Sequence, residues 1–166
     1  MSFNKQLYIP NKRPYITGEN RPQVDCILCS VMNDDAEVTS LLIWESHLVC
    51  VCANLYPYNA GHLLIFPVRH IFQPSELTEE EVLSMHKVLC FAIEKLKELY
   101  QPKGFNLGFN VGHASGASID HLHQHVVPRY DRELGFVDIT AGAKIIIEDP
   151  HETMEKLKKV FGSFKL

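Results

Sequence analysis

The segment His121-Leu122-His123-Gln124-His125-Val126-Val127 is the strongest constraint in the sequence. A β-strand repeats every two residues, so an extended chain here puts the three imidazoles on one face and Leu122, Gln124 and Val126 on the other. Pro128 closes the run. Three readings compete for such a row. A solvated polar face ordinarily mixes Thr, Lys and Glu rather than repeating His. A zinc site of three imidazoles with an open fourth position would activate water, but same-face positions along one strand converge poorly on a single ion. The third reading makes the central ring a nucleophile, which needs a neutral imidazole, a neighbour fixing its tautomer and donors around the group attacked. His123 stands in the middle, with His121 and His125 on either side to supply those parts.

Elsewhere the hydrophobic period switches between two and 3.6. Leu41 to Trp44 and Leu48 to Ala53 predict a hairpin around Glu45-Ser46-His47. His62 to Val68 predicts a third strand, after the turn formers Tyr56-Pro57-Tyr58-Asn59-Ala60-Gly61. Thr78 precedes Glu79, Glu80 and Glu81 as a capping box, and Val82, Met85, Val88, Leu89, Ala92, Leu96 and Leu99 recur at helical spacing. That predicts a helix of about six turns, ended by Pro102 and Gly104. Phe105 to Val111 alternates as a strand, Gly112 to Ser118 is a small-residue loop, and residues 150–164 are weakly helical. The expected fold is α+β: an antiparallel sheet with one long helix and a short C-terminal helix. Residues 1–24, broken by Pro10, Pro14 and Pro22, predict an arm lying on a single domain of residues 25–166.

Charge and composition exclude whole classes of partner. Twenty acidic residues against 16 basic leave a net charge of −4, so no broad positive field attracts nucleic acid. The longest apolar runs, such as Leu63 to Phe66 and Ile145 to Ile147, fall far short of the roughly 20 residues that span a bilayer. Neither nucleic acid nor membrane is an expected partner. The start, Met-Ser-Phe-Asn-Lys-Gln, lacks a secretory pattern, and a cytoplasmic location is the expectation.

Five cysteines is an odd number, and Cys26 and Cys29 alone have the Cys-x-x-Cys spacing. In a reducing compartment that spacing points to metal or thiol chemistry rather than a disulfide framework. Two thiolates with two distant imidazoles would suit tetrahedral zinc; the alternative is a pair of reduced thiols packed under the arm. Cys50, Cys52 and Cys90 sit in apolar runs, where a buried free cysteine is ordinary. His47, His86 and His151 read as surface residues, and His113 belongs to the small-residue loop. In that loop Gly112 and Gly116 would leave backbone N–H groups open to a phosphate, although such loops are more often plain turns.

The histidine row resembles the motif of the histidine triad superfamily. Asn54-x-x-Pro57, Gly61-His62, Pro67 and His70 resemble its upstream half, and the resemblance runs from about Cys26 to Arg129. The Gly112 to Ser118 loop and the Asn54 to His62 spacing look like the fragile-histidine-triad group and the diadenosine tetraphosphate phosphorylases. The resemblance implies cleavage of dinucleoside polyphosphates: His123 attacks the α-phosphorus, and water or inorganic phosphate resolves the nucleotidyl-histidine. It further implies that His125 and His62 contact phosphates, His121 orients the nucleophilic ring, Asn54 meets the ribose, and Ser118 reaches the phosphates from its loop. Asn110 stands where the fragile-triad branch has glutamine, which leaves the acceptor open, and Gln124 is polar where the motif is usually apolar.

By the same resemblance Cys26, Cys29, His70 and His121 would bind structural zinc and the protein would be a homodimer; whether magnesium accompanies the substrate is left open by the sequence. Two alternatives stand beside that enzyme: a nucleoside phosphoramidase of the same superfamily, and a non-catalytic nucleotide-binding module.

Overall fold

The computed structural model describes residues 22–131, 133 and 148–166. The expected arm therefore lies, but for its last residues, outside the described residues. The first element is a short helix, α1 (Ile27–Met32), capped by the Cys26 side chain. Sequence reasoning missed it, because six residues are too few to show a helical period. Strands β1 (Leu42–Glu45), β2 (Val49–Ala53) and β3 (Leu63–Pro67) follow, then α2 (Glu79–Tyr100), β4 (Gly104–Phe109), β5 (Gln124–Arg129) and α3 (Pro150–Phe161). They form an antiparallel sheet in the order β1-β2-β3-β5-β4, with the helices packed on it. This is the expected α+β architecture.

The period of two decides what each face carries. Val49, Val51 and Ala53 of β2 and Leu63 and Ile65 of β3 face the helices, where Met85, Val88, Leu89, Ala92 and Leu96 of α2 and Leu157 and Phe161 of α3 complete the core. Cys50, Cys52, Leu64 and Phe66 occupy the opposite face and pack against Leu28 of α1. Both central strands are thus buried on both faces, which explains their unbroken apolar runs. On α2 the buried stripe is narrower than expected, since Val82 and Leu99 are exposed.

The capping box forms at Thr78 and Glu81. Glu81 is also clamped by Arg69, whose Nε and Nη2 donate to its two carboxylate oxygens at 2.7 and 2.8 Å. This ties the segment after β3 to the start of α2. The loop before β3 is fixed at Asn59, which donates to the Pro128 carbonyl at 2.7 Å. Gly61 has φ +77°, and a Cβ there would lie 3.0 Å from Leu96 and 3.3 Å from Pro128, so the turn requires glycine.

β5 begins three residues later than expected. β3 pairs with it through Leu63 and Val126, Leu64 and His125, and Ile65 and Gln124. Two steps further Pro67 would face Leu122, but proline has no N–H for the ladder. The Leu122 N–H donates instead to the Ile71 carbonyl at 2.7 Å. His121 and His123 therefore precede the strand, and the expectation of one continuous strand carrying all three rings is corrected. Gln124 starts β5 half-buried opposite Ile65 and Phe109; nothing in the structure explains a polar residue there.

Candidate active site

A cleft of about 320 Å³ opens on the sheet face turned away from α2. Ile27, Leu28, Val31, Val38, Leu41 and Leu64 supply an apolar part of its wall, and Asn54, Asn110, Ser118, His123 and His125 a polar part. A row across the sheet places His125: Cys52 pairs with Leu64, Leu64 with His125, and His125 with Gly108. Directly paired residues share a face, so His125 stands on the cleft side with Cys52 and Leu64. Gly116 lines the cleft at φ +89°.

Two neighbours settle the tautomers. His123, only 5% exposed, has Nδ1 2.6 Å from the carbonyl oxygen of His121. A carbonyl only accepts, so Nδ1 carries the proton and Nε2 keeps its lone pair. Burial holds the His123 pKa below its ordinary value, against the opposing pull of that carbonyl. A neutral ring with a free Nε2 results.

The second chain of bonds starts at the Tyr58 backbone N–H, which donates to His62 Nδ1 at 3.0 Å. His62 Nε2 then carries the proton and donates to His125 Nδ1, also at 3.0 Å. His125 in turn bears its proton on Nε2, 3.2 Å from the Asn110 side-chain amide; with that tautomer the amide oxygen, rather than its nitrogen, is assigned to face the ring. The backbone thus sets His125 as a donor. His62 is 1% exposed and absent from the cleft wall, so it stands behind His125 and reaches a ligand only through it. Asn54 lies on the wall, with Oδ1 accepting from the Tyr56 N–H at 3.0 Å and Nδ2 3.3 Å from His62 Nδ1. Sequence reasoning missed Tyr58, whose ring stacks on His62 at 4.9 Å; its place in the turn-rich loop was the available signal.

His121 belongs to a different cluster. Its ring meets Cys26, Cys29 and His70, and the four donor atoms lie within 4.8 Å of one another. Sulfur and nitrogen are 3.5 Å apart for Cys26 and His121, 3.6 Å for Cys29 and His121, and 3.3 Å for Cys29 and His70. A tetrahedral zinc with sulfur at about 2.3 Å and nitrogen at about 2.0 Å separates such ligands by roughly 3.5 Å, so these side chains fit that ion. The tautomer fits as well. His121 Nε2 lies 2.8 Å from the Pro67 carbonyl and so bears the proton, leaving Nδ1 to ligate. Burial lowers the His121 pKa to about 4, which keeps the ring neutral. No comparable carboxylate cluster occurs among the described residues, and magnesium finds no support there.

Comparison with known proteins agrees with this architecture. An AP-4-A phosphorylase of Mycobacterium tuberculosis is 39% identical over 107 residues, covering 64% of this chain and 55% of that protein. A bis(5'-adenosyl)-triphosphatase of Saccharomyces cerevisiae is 33% identical over 94 residues, covering 56% of this chain and 46% of that protein. The chain spans about half the length of these two relatives. The crystal structure of a zinc-bound histidine triad family protein from Mycobacterium smegmatis shares the fold, with a TM-score of 0.67, 24% identity, and coverage of 83% of this chain and 94% of that one. The model of the HIT domain matches residues 35–132, well over half of the sequence, and on that match this chain belongs to the HIT domain family.

Proposed function

We propose that this protein cleaves dinucleoside polyphosphates through a nucleotidyl intermediate on His123. The observation that carries the reading is the buried bond from His123 Nδ1 to the His121 carbonyl, which leaves a neutral ring's Nε2 lone pair on a cleft able to take a nucleotide. The names of the two curated relatives, a phosphorylase and a triphosphatase of diadenosine compounds, support the substrate class.

In this mechanism a nucleobase enters the apolar part of the cleft and the phosphates lie against its polar part. His123 Nε2 forms a bond to the α-phosphorus, and the bond from that phosphorus to the bridging oxygen breaks. The departing phosphate chain keeps the electron pair. When substrate binds, its phosphate oxygens replace the Asn110 oxygen as acceptors of the His125 Nε2–H, and charge developing there is met by a fixed donor rather than by reorganising water. The Tyr58 and His62 relay holds that donor in place. Water or inorganic phosphate then attacks the same phosphorus and releases His123. In this reading Asn110, Gly116 and Ser118 position the phosphates and Asn54 the ribose.

Zinc belongs to the proposal as a structural ion held by Cys26, Cys29, His70 and His121; when bound it would lock those four side chains and take no part in the chemistry. A homodimer is also proposed, supported by Leu107 exposed on the edge strand β4 and Val82, Leu83 and Leu99 exposed on α2. Light scattering on the purified chain tests it.

Product analysis of diadenosine tetraphosphate, with and without inorganic phosphate, tests the activity. ADP and ATP formed only with phosphate identify a phosphorylase, and AMP and ATP in both conditions a hydrolase. No turnover of this substrate overturns the reading and moves it to a phosphoramidase or a binding module, which an adenosine phosphoramidate substrate separates.

A further inference from the structure

Helix α1 presents one side to the metal cluster and another to the cleft. Cys26 and Cys29, one turn apart, supply two of the four ligand atoms, while Ile27, Leu28 and Val31 form part of the cleft wall. The cluster meets the cleft a second time at His121, whose Nδ1 belongs to the cluster and whose carbonyl oxygen holds the Nδ1 proton of His123. A helix of six residues does not hold its place by its own hydrogen bonds. Its position rests on Leu28 packed against Cys50, Cys52, Leu64 and Phe66, and on what joins its two cysteines to His70 and His121. Metal ligation joins them far more tightly than thiol–imidazole hydrogen bonds, in which sulfur is a weak partner.

We infer that a metal ion in the Cys26, Cys29, His70 and His121 cluster and a nucleotide in the cleft bind cooperatively, with α1 and the backbone from His121 to His123 as the coupling element. This rests on the reading of the cleft as a nucleotide site. The ion restricts α1 to positions in which Ile27, Leu28 and Val31 form a wall for the base, so the nucleotide no longer bears the cost of ordering it. Coupling of binding free energies is reciprocal: nucleotide raises the affinity of the cluster for its ion by the same factor.

Two titrations on the full chain decide it. In the first, AMP is titrated calorimetrically into zinc-loaded and chelator-stripped protein, with zinc content measured in each. The expected result is a Kd for AMP about fivefold or more weaker after stripping. In the second, zinc is partitioned at equilibrium between the protein and a chromogenic chelator, and AMP shifts the balance toward the protein by the same factor. His70→Ala gives a graded case, since His70 is exposed and not on the cleft wall. Its AMP affinity is low at limiting zinc and recovers at saturating zinc. Equal AMP affinities with and without zinc overturn the coupling and leave the nucleotide site standing. Absence of AMP binding to the zinc-loaded protein overturns the site and the coupling together. If stripping unfolds the chain, the partition experiment decides alone, and no effect of AMP on zinc retention overturns the inference.

Discussion

Replacing Arg69 by methionine isolates the clamp that joins the segment after β3 to α2. Glu81 is 2% exposed and accepts from Arg69 Nε at 2.7 Å, Arg69 Nη2 at 2.8 Å and the Thr78 N–H at 2.8 Å. The Arg69 side chain is 52% exposed. Breaking a fully buried ion pair costs about 3–5 kcal/mol, whereas a surface pair is worth about 0–1 kcal/mol. Water reaching the guanidinium but not the carboxylate places this pair between those limits. For a chain of this length the expected result is a fall in Tm of several degrees at pH 7. The hydrogen bonds from Arg69, aided by those from Thr78 and opposed by burial, hold the Glu81 pKa at about 2, against an ordinary 4.5. A lowered carboxylate pKa stabilises the fold above the unfolded value, and that contribution is lost as pH falls through the folded value. The difference between Arg69→Met and the parent is therefore full above pH 5, shrinks below about 4.5 and vanishes toward 2. Urea denaturation at pH 7, 5 and 3.5, with zinc saturating, measures it. A pH-independent loss refutes the reasoning, as does a coupling energy below about 0.5 kcal/mol in the cycle with Glu81→Gln.

Other outcomes follow from the same geometry. His123→Asn abolishes turnover of diadenosine tetraphosphate while the variant still binds AMP in calorimetry; retained turnover would remove His123 from the mechanism. Gly61→Ala forces a side chain to φ +77° and against Leu96 and Pro128, a destabilisation of about 2 kcal/mol or more visible in the urea midpoint. His121 and His123 are buried with lowered pKa values, so the unfolded chain takes up protons that the folded chain refuses. In metal-free protein both groups make stability fall as pH drops below about 6.5, the His121 contribution continuing toward its folded value of about 4, and a potentiometric comparison of proton uptake on unfolding checks the sign. Purified protein carries about one zinc per chain by elemental analysis, and Cys29→Ser lowers that content.

Much of the fold was legible because its signals are local. The capping box at Thr78 and Glu81 and the 3.6-residue period place α2 within a residue or two. The apolar runs of β2 and β3 are long enough to stand out from their turns. Helix α1 was not legible: its start depends on a cysteine cap, and its reason to exist is the cover it gives Cys50, Cys52 and Leu64. The start of β5 was misjudged because the residue that stops the ladder, Pro67, lies on the partner strand. Tyr58 went unnoticed because the atom that matters is its backbone N–H: the turn formers mark its loop, but not which N–H meets His62.

The sequence by itself determined which chemistry is available. Imidazoles two residues apart, a Cys-x-x-Cys pair and a small-residue loop make phosphate and metal chemistry available, beside the plainer readings of a polar face, packed thiols and a simple turn. The tertiary structure alone decided how those groups are divided. Pro67 withholds a ladder hydrogen bond and offers its carbonyl, so His121 turns to the cysteines while its own carbonyl sets the tautomer of His123. Each of these roles depends on the direction of a single N–H or C=O group, and such directions are set only when distant strands and loops come into contact.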